Sequence, residues 1–271
     1  MLMDITYHPC QGRVEQLNAY QTFLPSPPLS HWVQCFWQLN VPDGRFCYRS
    51  MPDNSVDWII NLNDPEESFI ITPFSSSIVF ELIGPVSFFG IRFRILGYQG
   101  LISIPLGEWG SVADDAGAAE VLPDHVLYAV YESINNATGF SERCKFLSEI
   151  LLRTATPPSI DSRLAQYIRY CHNNISSNIN LSDKQCSKFG ISARQLRRLT
   201  QLHLGLTPRD FSRVFRFQHM LKTLEWSGDN IAWTGYYYDQ SHYIREFKSL
   251  SGLTPTEYKK MSALYNQKTD L

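Results

Sequence analysis

The sequence of 271 residues contains few cysteines, and those it has follow no pattern. Cys10, Cys35, Cys47, Cys144, Cys171 and Cys186 are scattered, with no CxxC pair and no His/Cys ligand spacing. This argues against a disulfide framework or a zinc module and reads the thiols as small apolar residues in a reduced compartment. His8, His31 and His125 do not form the His-x-His…Glu…His cluster of metal-dependent barrel enzymes. No metal, cofactor or catalytic residue is therefore expected. No apolar run approaches the roughly 18 residues of a membrane span. The opening Met1-Leu2-Met3-Asp4-Ile5-Thr6-Tyr7-His8 has no basic stretch followed by an apolar one, unlike a signal peptide. The expectation is a cytoplasmic protein, nucleoid-associated if it binds DNA.

Charge is short overall and unevenly placed. The formal net charge is −2. Up to Thr156 there are 8 Lys/Arg against 17 Asp/Glu, a net of −9; from Pro157 onward there are 16 against 9, a net of +7. A basic half joined to an acidic half is a footprint of a nucleic-acid-binding module attached to something else.

The last eighty residues contain a repeat at an offset of 47. Gly205-Leu206-Thr207-Pro208-Arg209-Asp210-Phe211 returns as Gly252-Leu253-Thr254-Pro255-Thr256-Glu257-Tyr258. Upstream, Ser192 aligns with Asp239, Leu196 with Tyr243 and Arg198 with Arg245. Internal repetition marks a duplicated structural unit. In each copy a threonine hydroxyl stands at a helix N-cap, proline follows at the first helical position, and an acid lies near the positive end of the dipole. Gly205 and Gly252 suit the left-handed residue that ends the preceding helix. Each unit thus reads as a polar cap, a short basic helix, a glycine stop and a new helix start.

Residues 31 to about 104 read as β. Candidate strands are 31–39, 56–62, 69–72, 78–83 and 88–93, with Pro42-Asp43-Gly44, Asn63-Asp64-Pro65 and Gly84-Pro85 as turns. Many short strands without intervening helices suggest an antiparallel barrel or sandwich. Val126, Leu127, Val130, Tyr131 and Ile134 then form a helical stripe, stopped near Gly139. Phe146, Leu147, Ile150 and Leu151 form another, with Ser141 as its cap. Thr154-Ala155-Thr156-Pro157-Pro158-Ser159 is the linker candidate, because consecutive prolines cannot continue a helix. It divides the chain into residues 1–155 and 156–271. From Ile160 to the end the pattern is nearly all helical: Leu181 to Phe189, a turn at Gly190, Ser192 to His203, then a long connecting helix striped by Phe211, Val214, Phe215, Leu221 and Leu224 and stopped by Gly228. The second unit runs from Asp229 to about Ser251.

In the helix from Ser192 to His203, Leu196 and Leu199 face the core, whereas Arg194, Arg197 and Arg198 share another face. Three arginines with Gln195 and no acid exceed what solvation needs. Arginine pairs with guanine edges and glutamine with adenine. In the second copy Tyr243 and Phe247 are the buried pair and Asp239 the N-cap, leaving Gln240, Ser241 and Arg245 for the groove. His242 either meets DNA or lines the turn. Lys248 suits a phosphate, being far from the helix N-terminus that enters the groove.

These residues resemble the AraC-type transcriptional regulators, over about residues 160–260. The signature is carried by Ile231-Ala232…Asp239-Gln240-Ser241-His242-Tyr243…Arg245-Glu246-Phe247-Lys248…Gly252-x-Thr254-Pro255-x-x-Tyr258. The resemblance implies two helix-turn-helix units joined by one long helix, both recognition helices entering successive major-groove segments on one face of double-stranded DNA. Two positions depart from the family pattern: the turn glycine falls at Gly235 rather than at Tyr236, and Thr200 replaces a large apolar residue. Met51-Pro52-Asp53-Asn54-Ser55-Val56-Asp57-Trp58 and Gly90-Ile91-Arg92-Phe93 look like segments of a sensor placed before such domains. The whole is then an α+β chain: an N-terminal β-rich, cupin-like barrel or sandwich with flanking helices, followed by an all-α double helix-turn-helix domain. Partners implied are promoter DNA, a small-molecule effector, a second copy in a homodimer, and RNA polymerase if the protein activates. Trp32, Trp37, Trp58, Phe69 and Phe89 either line a ligand pocket or are core, so no ligand residues are assigned.

Two rival readings stay open on the sequence. One is a small-molecule-binding or catalytic barrel fused to a degenerate DNA-binding domain. The other is a DNA-repair protein with a reactive cysteine.

Overall fold

A computed structural model of the chain describes residues 7–15, 19–109, 115–175, 179, 181–227 and 234–266. The N-terminal part is built on one antiparallel sheet. Its strands are β1 (Tyr20–Phe23), β2 (Val33–Ser50), β3 (Val56–Asn61), β4 (Ser68–Ile71), β5 (Ile78–Phe93) and β6 (Asp115–Gly117), in the order β1-β2-β5-β3-β4-β6. Asn63-Asp64-Pro65 is the turn expected, Glu67 N–H donating to the Asp64 carbonyl at 3.0 Å between β3 and β4.

The other two expected turns are corrected. Pro42-Asp43-Gly44 and Gly84-Pro85 lie inside β2 and β5, which pair from Val33–Phe93 to Ser50–Ile78. A register shift between Val41 and Gly44 absorbs them. Pro42 has no N–H to give the ladder, so a bulge rather than a reversal accommodates it. Gly84 allows the bulge to close in, since a Cβ there would stand 1.8 Å from the Pro42 carbonyl oxygen.

Both faces of the sheet are apolar because each meets a different neighbour. Successive strand residues point to opposite faces. Phe36, Trp58, Ile60, Phe89 and Ile91 are buried toward α2 (Asp124–Asn136) and α3 (Phe140–Thr154), which follow the one-turn helix α1 (Ala118–Val121). Trp37, Ile59 and Ile71 turn to the other face with Leu39, Phe46 and Leu264. Ser141 is not the cap of α3. The helix begins one residue earlier, Gly139 takes the N-cap position, and Glu142 instead accepts from the Thr138 N–H and hydroxyl at 2.8 and 2.9 Å.

After an extended stretch through Pro157-Pro158 come α4 (Ser162–Asn173), α5 (Asp183–Cys186), α6 (Ala193–Leu204), α7 (Pro208–Ser227), α8 (Gln240–Ser251) and α9 (Pro255–Lys260). The helix expected over Leu181–Phe189 is shorter, capped by Ser182 and finished by a 3₁₀ turn, Ser187–Phe189. The chain does not stay helical to its end. Leu264–Asn266 forms β7, which pairs with Phe46–Tyr48 of β2. The Gly228 stop, the start of the second unit and Ile231-Ala232 lie outside the described residues.

The helical part is docked on the sheet. Tyr7 stacks on Phe215 with ring centroids 4.5 Å apart. Gln218, buried on α7, accepts from the Cys10 N–H at 2.7 Å and donates to the carbonyls of Cys10 and Pro52 at 3.2 and 2.8 Å. Asn54 takes a left-handed φ of 60°, tolerable for asparagine, and donates to the Phe211 carbonyl at 3.1 Å. Tyr98 donates to the His203 carbonyl at 3.0 Å, and Ser77 donates to the Ser251 carbonyl at 2.7 Å.

Histidines at this seam give it a pH dependence. Burial pushes His219 down to about 4, helped by His172 and Lys222, and burial also lowers His203. Between pH 6.5 and 4 the unfolded chain takes up a proton at residue 219 that the folded chain refuses. The stabilisation is complete above 6.5 and is lost as pH falls toward 4. Its slope stays below about 1.4 kcal/mol per pH unit, since the ring is only part-buried and solvent screens it. Urea unfolding at pH 7.5 and 5.5 should show the loss, and His219→Gln should flatten it. An equal pH dependence in wild type and variant would assign the effect elsewhere.

Candidate nucleic-acid interface

Unit one begins with a local capping circuit. The Ser192 hydroxyl caps the Gln195 N–H at 3.2 Å, while Gln195 Oε1 accepts from the Ser192 N–H at 2.9 Å. Asp183 of α5 accepts from the Ala193 N–H at 2.8 Å, holding α5 against the start of α6. Gly190 makes the turn between them at φ 73°. Leu196 and Leu204 are buried, and so is Thr200, whose hydroxyl satisfies itself on the Arg197 carbonyl at 3.1 Å. The substituted position thus stays in the core without an orphaned polar group.

The same rotation that buries Leu196 exposes Arg194, Gln195, Arg197 and Arg198. Arg194, Arg197 and Arg198 border one open depression with Gln201, Leu202 and Gly107. Gly107 belongs to a 3₁₀ turn, Leu106–Glu108, that leans on the C-terminal half of α6. A Cβ there would lie 3.0 Å from the Gln201 carbonyl oxygen.

Unit two repeats the construction. Asp239 caps α8 through the His242 N–H at 2.7 Å, and Tyr243 and Phe247 are buried beneath it. Gln240, Ser241, Arg245 and Lys248 are exposed. His242 is half-buried, edge-on to Tyr237 at 5.4 Å. The turn re-registers onto Gly235, which takes φ 86°, and Tyr236 is spared the left-handed conformation. Tyr238 stands 93% exposed just before Asp239, a position that the sequence pattern does not distinguish. The only signal was a run of three tyrosines of which one, Tyr237, fills the core.

One helix fixes both units. Phe211 and Phe215 of α7 pack toward unit one with Tyr167, Phe189 and Leu196, whereas Val214, Phe217, Met220, Leu221 and Leu224 pack toward unit two with Tyr243, Phe247 and Tyr258. Arg213 of α7 donates to Glu246 of α8 at 2.7 and 3.2 Å. Thr207 and Thr254 cap α7 and α9 as the repeat predicts, through the N–H groups of Asp210 and Glu257. Three thiols are held away from nucleophilic thiolate character: burial pushes Cys35 up to about 11 and Cys144 and Cys171 up to about 12.

Two family models match the chain, a helix-turn-helix domain over residues 185–261 and a domain of unknown function (DUF6597) over residues 21–112. No curated protein matches. Among solved structures, similarity is found to ToxT from Vibrio cholerae. An apo lysine-to-alanine variant from strain SCE256 is 13% identical, covering 92% of this chain and 95% of that one, with a TM-score of 0.41. ToxT from strain O395 is 14% identical, with 91% and 99% covered and a TM-score of 0.40. Wild-type ToxT bound to an unsaturated fatty acid is 12% identical, with 93% of each chain covered and a TM-score of 0.38. The helix-turn-helix match falls on the two units that share α7. The chain carries an AraC-type helix-turn-helix domain at its C-terminus and is a DNA-binding transcriptional regulator.

Proposed function

We propose that α6 and α8 read two successive major-groove segments of one operator, with Arg194, Gln195, Arg197 and Arg198 from the first helix and Gln240, Ser241, Arg245 and Lys248 from the second. The observation that carries this reading is that both exposed faces hang on a single helix, α7, whose two sides are the cores of the two units. Tyr238 and His242 belong at the margin, toward backbone. The Gln195 carbonyl is engaged in the cap, which leaves its amide N–H groups for an acceptor.

Residues 1–155 act as the regulatory part and 156–271 as the reader. An effector would work by changing how the sheet and the helices fit, because the Leu106–Glu108 turn and the Asn54, Gln218 and Ser77 contacts all cross that seam. A homodimer and contact with RNA polymerase belong to the same reading, and the protein acts in the cytoplasm on the nucleoid by binding rather than by catalysis.

Selection from random double-stranded DNA at two salt concentrations tests it. The expected product is a bipartite motif with centres about one helical turn apart. Retention without enrichment, fading uniformly as salt rises, would overturn sequence-specific reading.

A further inference from the structure

The face of the sheet turned away from α2 and α3 bears a half-open cavity. Its wall is aromatic, with Tyr20, Trp37, Tyr48, Phe69, Phe80 and Phe88 contributed by four strands. At one side lies a buried charge cluster. Arg92 Nε donates to both carboxylate oxygens of Asp57 at 3.0 Å, and its Nη2 stands 3.5 Å from Asp53. Trp37 adds an indole N–H to Asp57 at 2.8 Å, and Gln11 donates to Asp53 at 2.6 Å. Asp53, Asp57 and Arg92 are the charged residues of the lining, so the cluster holds two carboxylates against one guanidinium.

Polar capacity is left over in the same lining. The Ser55 hydroxyl is buried, 3% exposed as a residue, and has no partner among the described residues. Tyr20 and Tyr48 of the same lining are half-buried. Buried hydroxyls are normally paired, so the Ser55 hydroxyl beside this cavity points to a ligand that pairs it.

On the reading that the N-terminal part answers to an effector, we propose that this cavity binds a small organic cation, an ammonium group on an apolar or aromatic body. An incoming anion would meet an excess carboxylate, whose one guanidinium is already engaged. An ammonium neutralises that carboxylate, lies against the faces of electron-rich rings, and donates to Ser55, Tyr20 and Tyr48. Burial raises the Asp57 carboxyl, and a bound cation would bring it down again. The apolar body fits the Phe69, Phe80 and Phe88 wall.

The test is calorimetric titration of the full chain with 2-phenylethylammonium, 2-phenylethanol and phenylacetate, which match in shape and differ in charge. The ammonium ion should bind at least roughly ten-fold tighter than the alcohol, and phenylacetate weakest. Leu82→Trp, a filler on the half-buried wall, should abolish binding with the fold retained, and Asp53→Asn should narrow the preference for the cation. Phenylacetate binding as well as the ammonium ion, no binding of any of the three, or binding undiminished by Leu82→Trp would overturn the assignment. DNA affinity measured with and without the ammonium ion separates the two readings. A bound cation that leaves DNA affinity unchanged overturns the effector role and leaves the site standing.

Discussion

A chain carrying Arg194→Ala, Arg197→Ala and Arg198→Ala together should lose at least about 3 kcal/mol of affinity for its selected operator, more than a hundred-fold. The three guanidinium groups border a single depression on the exposed side of α6, so on the proposed reading one DNA segment would meet all of them. Base contacts are worth about 1–3 kcal/mol each and phosphate contacts less, but phosphate contacts leave a separate mark. For every phosphate that a removed guanidinium had neutralised, the slope of log K against log salt falls by about 0.9. Fluorescence anisotropy on selected and random DNA at several salt concentrations reads both quantities. Loss confined to the selected site means base reading, whereas equal loss on both, with a flatter slope, means phosphate anchoring. Unchanged affinity would remove α6 from the interface. The caps and Leu196 are untouched, so the helix should persist by circular dichroism.

The second large effect concerns the sheet. Arg92→Leu should destabilise the protein by about 3–5 kcal/mol at neutral pH, because it leaves two buried carboxylates without their cation. Asp57 is 6% exposed and Asp53 3% exposed, so water does not replace the guanidinium. The cost should shrink as pH falls. Burial already raises the Asp57 carboxyl and without Arg92 it rises further, so the folded chain binds more protons and the variant regains stability on acidification. Chemical denaturation of wild type and variant at pH 5 and 8 checks the sign. Adding Asp57→Asn should recover part of the loss at pH 8. A variant equally unstable at both pH values would point to poorer packing instead.

How much of this was legible depended on range. The caps at Ser192, Asp239, Thr207 and Thr254 were readable because a hydroxyl or carboxylate caps an N–H only a few residues away. The exposed face of α6 was readable because a helix repeats every 3.6 residues, so burying Leu196 and Leu204 exposes Arg194, Arg197 and Arg198. Pro42-Asp43-Gly44 has the local chemistry of a turn and so predicts a reversal where the structure has a bulge. What overrides it is the continuous pairing of β2 with β5. Among the five aromatics offered for a pocket or a core, Trp37 and Phe69 line the cavity, while Trp32, Trp58 and Phe89 are buried in the core on the helix side. Alternation separates Trp37 from its neighbour Phe36 but does not say which face is hollow.

The sequence by itself determined the duplicated helix-turn-helix grammar, the exposed basic face of α6 and the charge division, since all three reside in local spacing and composition. Only the tertiary structure decided that β7 closes on β2, that Gln218 and Asn54 weld the reader to the sheet, and that Asp57 faces Arg92 in the ladder beside a hollow of aromatic rings. Those depend on strand register and on contacts between distant segments, which no local propensity encodes and only the packed chain can select.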